Sequence, residues 1–257
     1  MDLHLHDKVA IVTGASKGIG RAIAETLAAE GMRVVAAARS QPLLESLTAG
    51  RADRWLVQAA DLSQPHTPPA VVHAAIERFG RIDLLVNNAG ATPRGDFLTL
   101  TDDEWNAGFA LKFYGAMRLS RAAWPHLRTS AGCIVNIAGI GGRTGSAEFT
   151  IGGGVNASLM HLTKSLADRG VKDGVRVNAI NPGSIETDRL QLRLKNFAAE
   201  HQVDLPEAGR QMAAAHGVAR FGQPDEIARA VAFLASPAAA FVQGALIDID
   251  GGQTRTL

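Results

Sequence analysis

Residues 9–20, Val-Ala-Ile-Val-Thr-Gly-Ala-Ser-Lys-Gly-Ile-Gly, decide the fold. They begin with a short apolar run at 9–12 that is typical of a buried strand and that ends at Thr13 and Gly14. After a glycine-rich turn, apolar residues recur at helical spacing over 21–30, and Gly31 marks the end of that pattern. The stretch therefore predicts a strand, a tight turn and a helix in immediate succession.

The same alternation of strand and helix continues along the chain. Further apolar runs predict strands at 34–38, 55–57, 82–86, 133–137, 175–180 and 245–249. Helical patterns lie between these runs, with long ones at 102–128 and 152–169. Continuous apolar strands that alternate with helices are typical of a parallel sheet covered on both faces. We therefore predict an α/β fold, a doubly wound parallel sheet of the Rossmann type, as a single domain over residues 1–257.

Residues 185–217 are a long segment between two stretches that the pattern assigns to the sheet. The segment is rich in alanine, and Pro206 interrupts its helical pattern. Long connections of this kind in compact domains often cover a binding site. We predict a mobile insertion here that lines the substrate side of the site.

The composition narrows the classes of partner. The 257 residues include 26 Lys and Arg against 25 Asp and Glu, so the chain has no basic excess for nucleic acid or membrane headgroups. No apolar run approaches the roughly 18 residues of a membrane span, and the single Cys133 cannot form an internal disulfide. No His, Cys or carboxylate cluster has metal-ligand spacing. We expect a small-molecule substrate, a homo-oligomer (dimer or tetramer) and a cytoplasmic setting.

The glycine-rich turn is a candidate phosphate-binding element. Glycines permit a tight turn and a close approach of the backbone to a pyrophosphate, and the following helix supplies unpaired N–H groups at its start. The alternative is a tight turn that binds no ligand. The candidate contacts in this turn are Gly14, Ser16, Lys17, Gly18, Ile19 and Gly20.

The spacing Gly-x-x-x-Gly-x-Gly in this turn resembles the fingerprint of the short-chain dehydrogenase/reductase family. Four more motifs match that family in the same order: Asp61-Leu62, Asn87-Asn88-Ala89-Gly90, Asn181-Pro182-Gly183 with Ile185 and Thr187, and the closing stretch 242–252. The resemblance covers nearly the whole chain. It implies an oxidoreductase whose further cofactor contacts are Asp61, Leu62, Asn88, Ala89, Gly90, Pro182, Gly183, Ile185 and Thr187.

The end of the second strand indicates which dinucleotide binds. An acidic residue there hydrogen-bonds the ribose of NAD, whereas an arginine accommodates the 2′-phosphate of NADP. This chain has Arg39 at that point, and Lys17 adds a second cation in the turn. The alternative is that both are solvated surface charges. We predict NADP(H) as the cofactor.

The resemblance breaks at the catalytic residues. Redox-active members of the family carry an Asn-Ser-Tyr-Lys tetrad, in which the tyrosine exchanges a proton while hydride moves and the lysine lowers the pKa of the phenol. Alignment through 134–137 and 163–167 places Lys112, Gly139, Gly152 and Asn156 at the Asn, Ser, Tyr and Lys positions. Tyr114, the only tyrosine, lies on an earlier helix, where we expect it to pack.

Lysine and asparagine have therefore exchanged places. Lys112 is our candidate proton donor or electrostatic clamp on a substrate oxygen, with Asn156 as a ribose ligand. The alternative is that Lys112 only fills a polar gap. Gly152 leaves a space about the size of a phenol, which a bulkier substrate, a water or another side chain could fill.

Three functions remain open from the sequence. The first is an NADP(H)-dependent oxidoreductase of unusual mechanism that acts on a carbonyl/alcohol pair, as the cofactor motifs indicate. The second is a catalytically silent nucleotide-binding protein, such as a sensor or assembly partner, which the loss of the Ser-Tyr-Lys set favours. The third is non-redox catalysis in the same pocket. Fold by itself does not decide between them.

Overall fold

A computed structural model describes residues 2–48 and 53–255. It contains a seven-stranded parallel sheet with the strand order β3-β2-β1-β4-β5-β6-β7. The strands are β1 Val9–Thr13, β2 Arg33–Ala38, β3 Trp55–Ala59, β4 Leu84–Asn87, β5 Cys133–Ile137, β6 Arg176–Pro182 and β7 Leu246–Ile249. The predicted doubly wound parallel sheet is confirmed. The order reverses between β1 and β4, where ligands of such sheets bind.

Helices cover both faces of this sheet. They are α1 Gly18–Ala29, α2 Gln41–Glu45, α3 Thr67–Phe79, α4 Asp102–Phe109, α5 Ala116–Ser130, α6 Thr150–Asp173, α7 Asp188–His201, α8 Leu205–Ala215 and α9 Pro224–Ala235. Alternate residues of β1 separate the two cores: Val12 packs with α1 and α9, whereas Ile11 packs with α3 and α5. This alternation arises because successive side chains of a strand point to opposite faces.

The long predicted helix at 102–128 is not uniform. A π-helical turn, Ala110–Gly115, separates α4 from α5, and it carries both Lys112 and Tyr114. A π turn widens a helix locally and is frequent at functional sites. Tyr114 is exposed, and the guanidinium carbon of Arg118 lies 5.4 Å from the centre of its ring. The Tyr114 ring also packs edge-on against Phe113, with the ring centres 5.5 Å apart, so the tyrosine packs as expected, at the surface of the protein.

The segment 185–217 forms two helices rather than one interrupted helix. Pro206 lies in the first turn of α8, where its missing N–H has no partner to lose. The side chain of Asp204 caps this helix by accepting a hydrogen bond of 2.8 Å from the Glu207 N–H. The proline therefore begins a helix, and the mobility of the segment stays a prediction.

Candidate active site at the carboxyl ends of the strands

The glycine-rich turn has the shape that a close backbone approach requires. Gly14 and Gly18 have φ values of 65° and 57°, a region that favours glycine. A Cβ atom at Gly20 would overlap the Gly14 carbonyl oxygen, so this position also excludes any side chain. The turn is therefore a narrow concave backbone surface in front of α1.

The start of α1 is open to a ligand. Lys17 is the N-cap residue and its side chain makes no capping hydrogen bond, so the helix presents its first N–H groups and their partial positive charge. Ser16 and Ile19, on either side of it, are partly buried. This is the arrangement that binds phosphate groups at helix N-termini.

The loop after β6 lies against this turn. Pro182 ends β6, and a Cβ atom at Gly183 would lie 2.7 Å from Cβ of Asp250, so that the chain is tightly packed there. Ile185 is buried and forms a bridge with Gly222. Thr187, the N-cap residue of α7, has its methyl group 3.2 Å from the position that a Cβ atom of Gly18 would take. The structure thus brings the two predicted cofactor-binding loops together.

Asn88 and Thr13 lock the ends of β4 and β1 together. The Asn88 Nδ2 donates to the Thr13 carbonyl oxygen at 2.9 Å. The Thr13 hydroxyl donates to Val86 O at 3.0 Å and accepts the N–H groups of Asn88 and Ala89 at 2.9 and 3.0 Å. The Asn-Asn-Ala-Gly motif therefore supports the floor of the site, and Thr13 is a supporting residue that sequence reasoning missed.

The residues predicted to lie on the adenine side of the cofactor also come close together in the structure. Asp61 is exposed beside the exposed Arg39. The pKa of Asp61 lies below its usual value because Ser63 hydrogen-bonds the carboxylate through its hydroxyl and N–H, with a smaller contribution from the charge of Arg39. Leu62 is buried beside them. Arg39 and Asp61 thus share one rim, although they come from different strands.

Lys112 lies at the centre of the altered residues. Its Nζ donates to the Ala138 carbonyl oxygen at 2.5 Å and to the Asn156 Oδ1 at 2.6 Å. Burial, and then the charge of Arg189, lower the pKa of Lys112 to about 7. The chain packs tightly here, since a Cβ atom at Gly90 would lie 2.8 Å from Cδ of Lys112. The exchanged lysine and asparagine are therefore in direct contact.

Gly139 leaves room for this contact. Its φ of 140° is a value that side chains rarely adopt, and a Cβ atom there would lie 3.0 Å from the Asn156 Nδ2. The backbone at the predicted serine position thus bends close to Asn156. A larger residue would press on the amide that holds Lys112.

The ring of Phe149 fills the space beside Gly152. A Cβ atom at residue 152 would overlap several ring carbons of Phe149, and one at Gly141 would lie 2.9 Å from the same ring. Of the three occupants left open by the sequence, a side chain from elsewhere is the one that the structure contains. The helix α6 begins at Thr150, two residues earlier than predicted, and its glycine-rich first turn packs against this ring.

The sequence analysis missed Phe149 and the basic side chains around the site. Phe149 lies three residues before Gly152, a spacing that places two residues near each other at a helix start. Arg94, Arg189 and Arg193 come from separate segments and had no motif to mark them. Only the folded chain shows that they are neighbours.

Other classes of site have little support in the described part of the chain. No group of three or more His, Cys, Asp or Glu residues within 2–48 and 53–255 could hold a metal ion. No helix among the same residues has the length and hydropathy needed to cross a membrane. Burial raises the pKa of the Cys133 thiol to about 11, which makes it a poor nucleophile.

Comparison with known proteins agrees with the geometry. Residues 14–254 match the family described as enoyl-(acyl carrier protein) reductase. The 3-oxoacyl-[acyl-carrier-protein] reductase FabG of Vibrio cholerae is 35% identical over 251 residues, which cover 97% of this chain and 98% of the relative. The chain belongs to the short-chain dehydrogenase/reductase family. The resemblance drawn from the five motifs is confirmed.

Two solved structures and a further relative are similar to this chain over nearly its whole length. L-sorbose reductase from Gluconobacter frateurii, solved with NADPH and L-sorbose, is 35% identical with a TM-score of 0.95 over 100% of both chains. Actinorhodin polyketide ketoreductase, solved with NADPH, is 30% identical with a TM-score of 0.90 over 97% of this chain and 98% of its own. The short-chain reductase protein NovJ of Streptomyces niveus is 35% identical over 96% of this chain and 94% of its own.

The pKa of Lys112 predicts a pH-dependent stability. Because the folded-state pKa of about 7 lies below the unfolded value of about 10.4, the unfolded chain binds more protons between these values. The free energy of unfolding should therefore rise with pH from 7 to 9, by on the order of 1–2 kcal/mol from this group. Lys112→Met should remove that rise, measured by urea unfolding at several pH values.

Lys164, an exposed lysine on α6, offers a matched control. Lys164→Met removes a solvated charge and should keep the wild-type slope of unfolding free energy against pH. A Lys112→Met protein with the wild-type slope would show that the group is not desolvated.

The Phe149 ring predicts that a tyrosine cannot simply be restored at residue 152. Gly152→Tyr should lower the midpoint of thermal unfolding, because overpacking a filled space costs about 1–3 kcal/mol. Adding Phe149→Ala should recover most of that loss. Equal midpoints for the single and double variants would contradict the assignment of Phe149 to this space.

Proposed function

We propose that this chain is an NADP(H)-dependent oxidoreductase that interconverts a carbonyl and an alcohol, with Lys112 as the group that transfers the proton. The observation that carries the proposal is the ammonium of Lys112, with a pKa of about 7, held between Ala138 O and Asn156 Oδ1. A proton donor works best when its pKa is near the working pH. No tyrosine is needed for this step.

NADP(H) as the cofactor is confirmed by the family and by the NADPH complexes of two solved relatives. The geometry of this chain fits a bound NADP(H) molecule. The turn at Gly14 and Gly20 admits no side chain, and the N-terminus of α1 is uncapped by a side chain. Arg39 and Lys17 are exposed cations on the two sides of this turn, as a 2′-phosphate and a pyrophosphate require.

The residues around Lys112 have separate roles in the proposed reduction of a carbonyl group. Bound NADPH supplies the hydride to a carbonyl carbon. The ammonium of Lys112 has three N–H donors, and in the described part of the chain two of them are used by Ala138 O and Asn156 Oδ1. The third can donate its proton to the carbonyl oxygen, which leaves a neutral amine and an alcohol. Solvent then returns the proton to Lys112, and oxidation runs through the same atoms in reverse.

Asn156 and Ala138 act on the orientation of Lys112. Their two oxygens fix the ammonium against rotation, so the remaining N–H has a defined direction. The Asn156 side chain also lies beside Gly139, which keeps it in place. We therefore give Asn156 a positioning role toward Lys112, in addition to the ribose contact that the sequence predicted.

A second candidate is a catalytically silent NADP(H)-binding protein. The observation that favours it is the Phe149 ring, which fills the space where a catalytic tyrosine would lie with an apolar group. A sensor or assembly partner would need the cofactor cradle and no proton donor. Binding without turnover would distinguish this candidate from the oxidoreductase.

Oligomeric state and compartment belong to the proposal as well. We retain a homo-oligomer, dimer or tetramer, and a cytoplasmic setting from the sequence analysis. The mass of the native protein by light scattering tests the first, since a single chain has 27.0 kDa. A native mass equal to that of one chain under all conditions would contradict the proposed homo-oligomer.

Arg39 predicts a cofactor preference that can be measured directly. Arg39→Ala should weaken NADPH binding by about tenfold, because a charge-assisted contact to the 2′-phosphate is lost, and should leave NADH binding unchanged. Fluorescence titration of both cofactors gives the dissociation constants. Arg33→Ala, at the other end of β2 and 3.5 Å from Asp7, is the matched control. An equal loss for both cofactors would contradict the assignment.

Lys112 predicts a loss of catalysis without a loss of cofactor. Lys112→Met should lower the rate of NADPH-dependent carbonyl reduction by at least about a hundredfold, because general acid catalysis is removed. The NADPH dissociation constant should stay within a few-fold. In the wild type the rate should fall above about pH 7, as the ammonium loses its proton. Oxidation of NADPH is followed against ketones, aldehydes and quinones.

Lys164→Met serves as the control for a lysine outside the site and should keep full activity. Full activity in Lys112→Met would overturn the role of Lys112. Tight NADPH binding by the wild type without turnover on the whole panel would favour the silent binder instead.

A further inference from the structure

A group of basic side chains borders the proposed active site. Arg94 lies in the loop between β4 and α4, Arg193 lies on α7, and His216 follows α8. Arg189 lies one helical turn before Arg193. Three separate segments of the chain thus bring positive or polar nitrogen groups to one place, which we call the basic rim (Arg94, Arg189, Arg193 and His216).

The charged groups of the basic rim act on one another. Among residues 2–48 and 53–255, none of its three arginines forms an ion pair. Partial burial, and then the charge of Arg94, lower the pKa of Arg193. Burial, and then Arg193 and Arg94, lower the pKa of His216. Arg193 and His216 are partly buried, whereas Arg94 and Arg189 are exposed. A bound anion would relieve the repulsion between the charges of this group.

Contacts connect the basic rim to the centre of the site. The guanidinium carbon of Arg94 lies 4.5 Å from the centre of the Phe149 ring, the ring that covers Gly152. A Cβ at Gly141 would be 2.9 Å from that ring and 3.6 Å from the Asn156 amide, so Phe149 and Asn156 are near neighbours. The rim therefore lies one aromatic ring away from the amide that holds Lys112.

Arg189 makes the second connection. Its Nη2 donates to the Gly90 carbonyl oxygen at 3.1 Å, and its charge helps to lower the pKa of Lys112. Lys112 itself packs on Gly90. A molecule whose carbonyl oxygen meets Lys112 would thus extend toward α7, the helix that carries Arg189 and Arg193.

The cofactor phosphates do not account for the basic rim. The phosphate-binding turn faces the start of α7, where Thr187 contacts Gly18 and Lys17 lies 4.0 Å from Asp188. Arg193 is six residues beyond Thr187, roughly 9 Å along the helix. The charges that act on Arg193 and His216 come from within the basic rim and not from the glycine-rich turn.

We propose that the substrate carries an oxyanion, a carboxylate or a phosphate, which Arg94 and Arg193 bind while its carbonyl group faces Lys112. This inference rests on the proposed function of the site. A guanidinium donates two parallel hydrogen bonds to either oxyanion, so both groups fit the same pair of arginines. The Nδ1 of His216 lies 3.1 Å from the Ser184 hydroxyl, a contact that holds the imidazole ring in place.

The closing experiment measures binding and not turnover, so it stays separate from the test of catalysis. The protein is saturated with NADP⁺, which cannot reduce a ketone, and is titrated by calorimetry with acetoacetate and with methyl acetoacetate. The two ligands share the ketone and differ in the negative charge. We expect acetoacetate to bind at least about tenfold more tightly, and Arg193→Gln to abolish the difference.

A second pair tests the other source of the oxyanion. Dihydroxyacetone phosphate and dihydroxyacetone differ by one phosphate group. Tighter binding of the phosphate compound than of acetoacetate would assign a phosphate, and the reverse order would assign a carboxylate. Both results support the oxyanion, because both charged ligands would bind better than their neutral partners.

Matched variants complete the test. Arg94→Gln should act like Arg193→Gln, which guards against a folding defect in one variant, whereas Lys195→Gln removes an exposed charge from the same helix and should change nothing. Equal affinity for charged and neutral ligands, or no binding of either charged ligand, would overturn the proposal. A loss of NADP⁺ affinity in Arg193→Gln would also overturn it, by assigning the arginine to the cofactor.

Discussion

A partly buried ammonium needs oxygen acceptors, and the arrangement around Lys112 depends on that need. Two oxygens, Ala138 O and Asn156 Oδ1, accept its N–H groups at 2.5 and 2.6 Å. Without them, removing the charge from water would cost far more than the packing could offset. The π turn carries Lys112, and the bare backbone at Gly90 leaves room for its stem.

This contact between Lys112 and Asn156 gives a structural basis to the predicted exchange of lysine and asparagine. In the family pattern a lysine on α6 acts on a tyrosine on the same helix. Here an amide stands on α6 and the ammonium reaches it from the helix opposite, at Lys112. The lysine and the asparagine contact each other, and the apolar ring of Phe149 occupies the volume beside Gly152. Lys112, the proposed proton donor, has a pKa of about 7 in this arrangement.

Charge is distributed unevenly around this centre. The predicted cofactor side combines backbone N–H groups at the start of α1 with the exposed cations Lys17 and Arg39. The opposite side gathers Arg94 and Arg193, which are without an ion pair among the described residues. The near-neutral composition of the chain hides this asymmetry, because net charge sums over the whole surface.

The sequence by itself determined the sheet, the glycine-rich turn and NADP(H) as the cofactor. These features are local: the apolar runs, the glycines at 14, 18 and 20, and Arg39 at a strand end each occupy a few consecutive residues. The resemblance to the family also predicts the exchange of Lys112 and Asn156. Periodicity does not encode the π turn that carries Tyr114 or the helix start at Pro206, so these details came from the structure.

Only the tertiary structure decided what fills the space at Gly152 and which charges surround the site. Phe149 is near Gly152 in sequence, but the direction of its ring depends on the packing of α6 against the loop at Gly141. Arg94 and Arg193 are about a hundred residues apart in sequence, yet in the folded chain the charge of Arg94 lowers the pKa of Arg193. Contacts between distant segments leave no periodic pattern in a single sequence, so only the folded chain could reveal them.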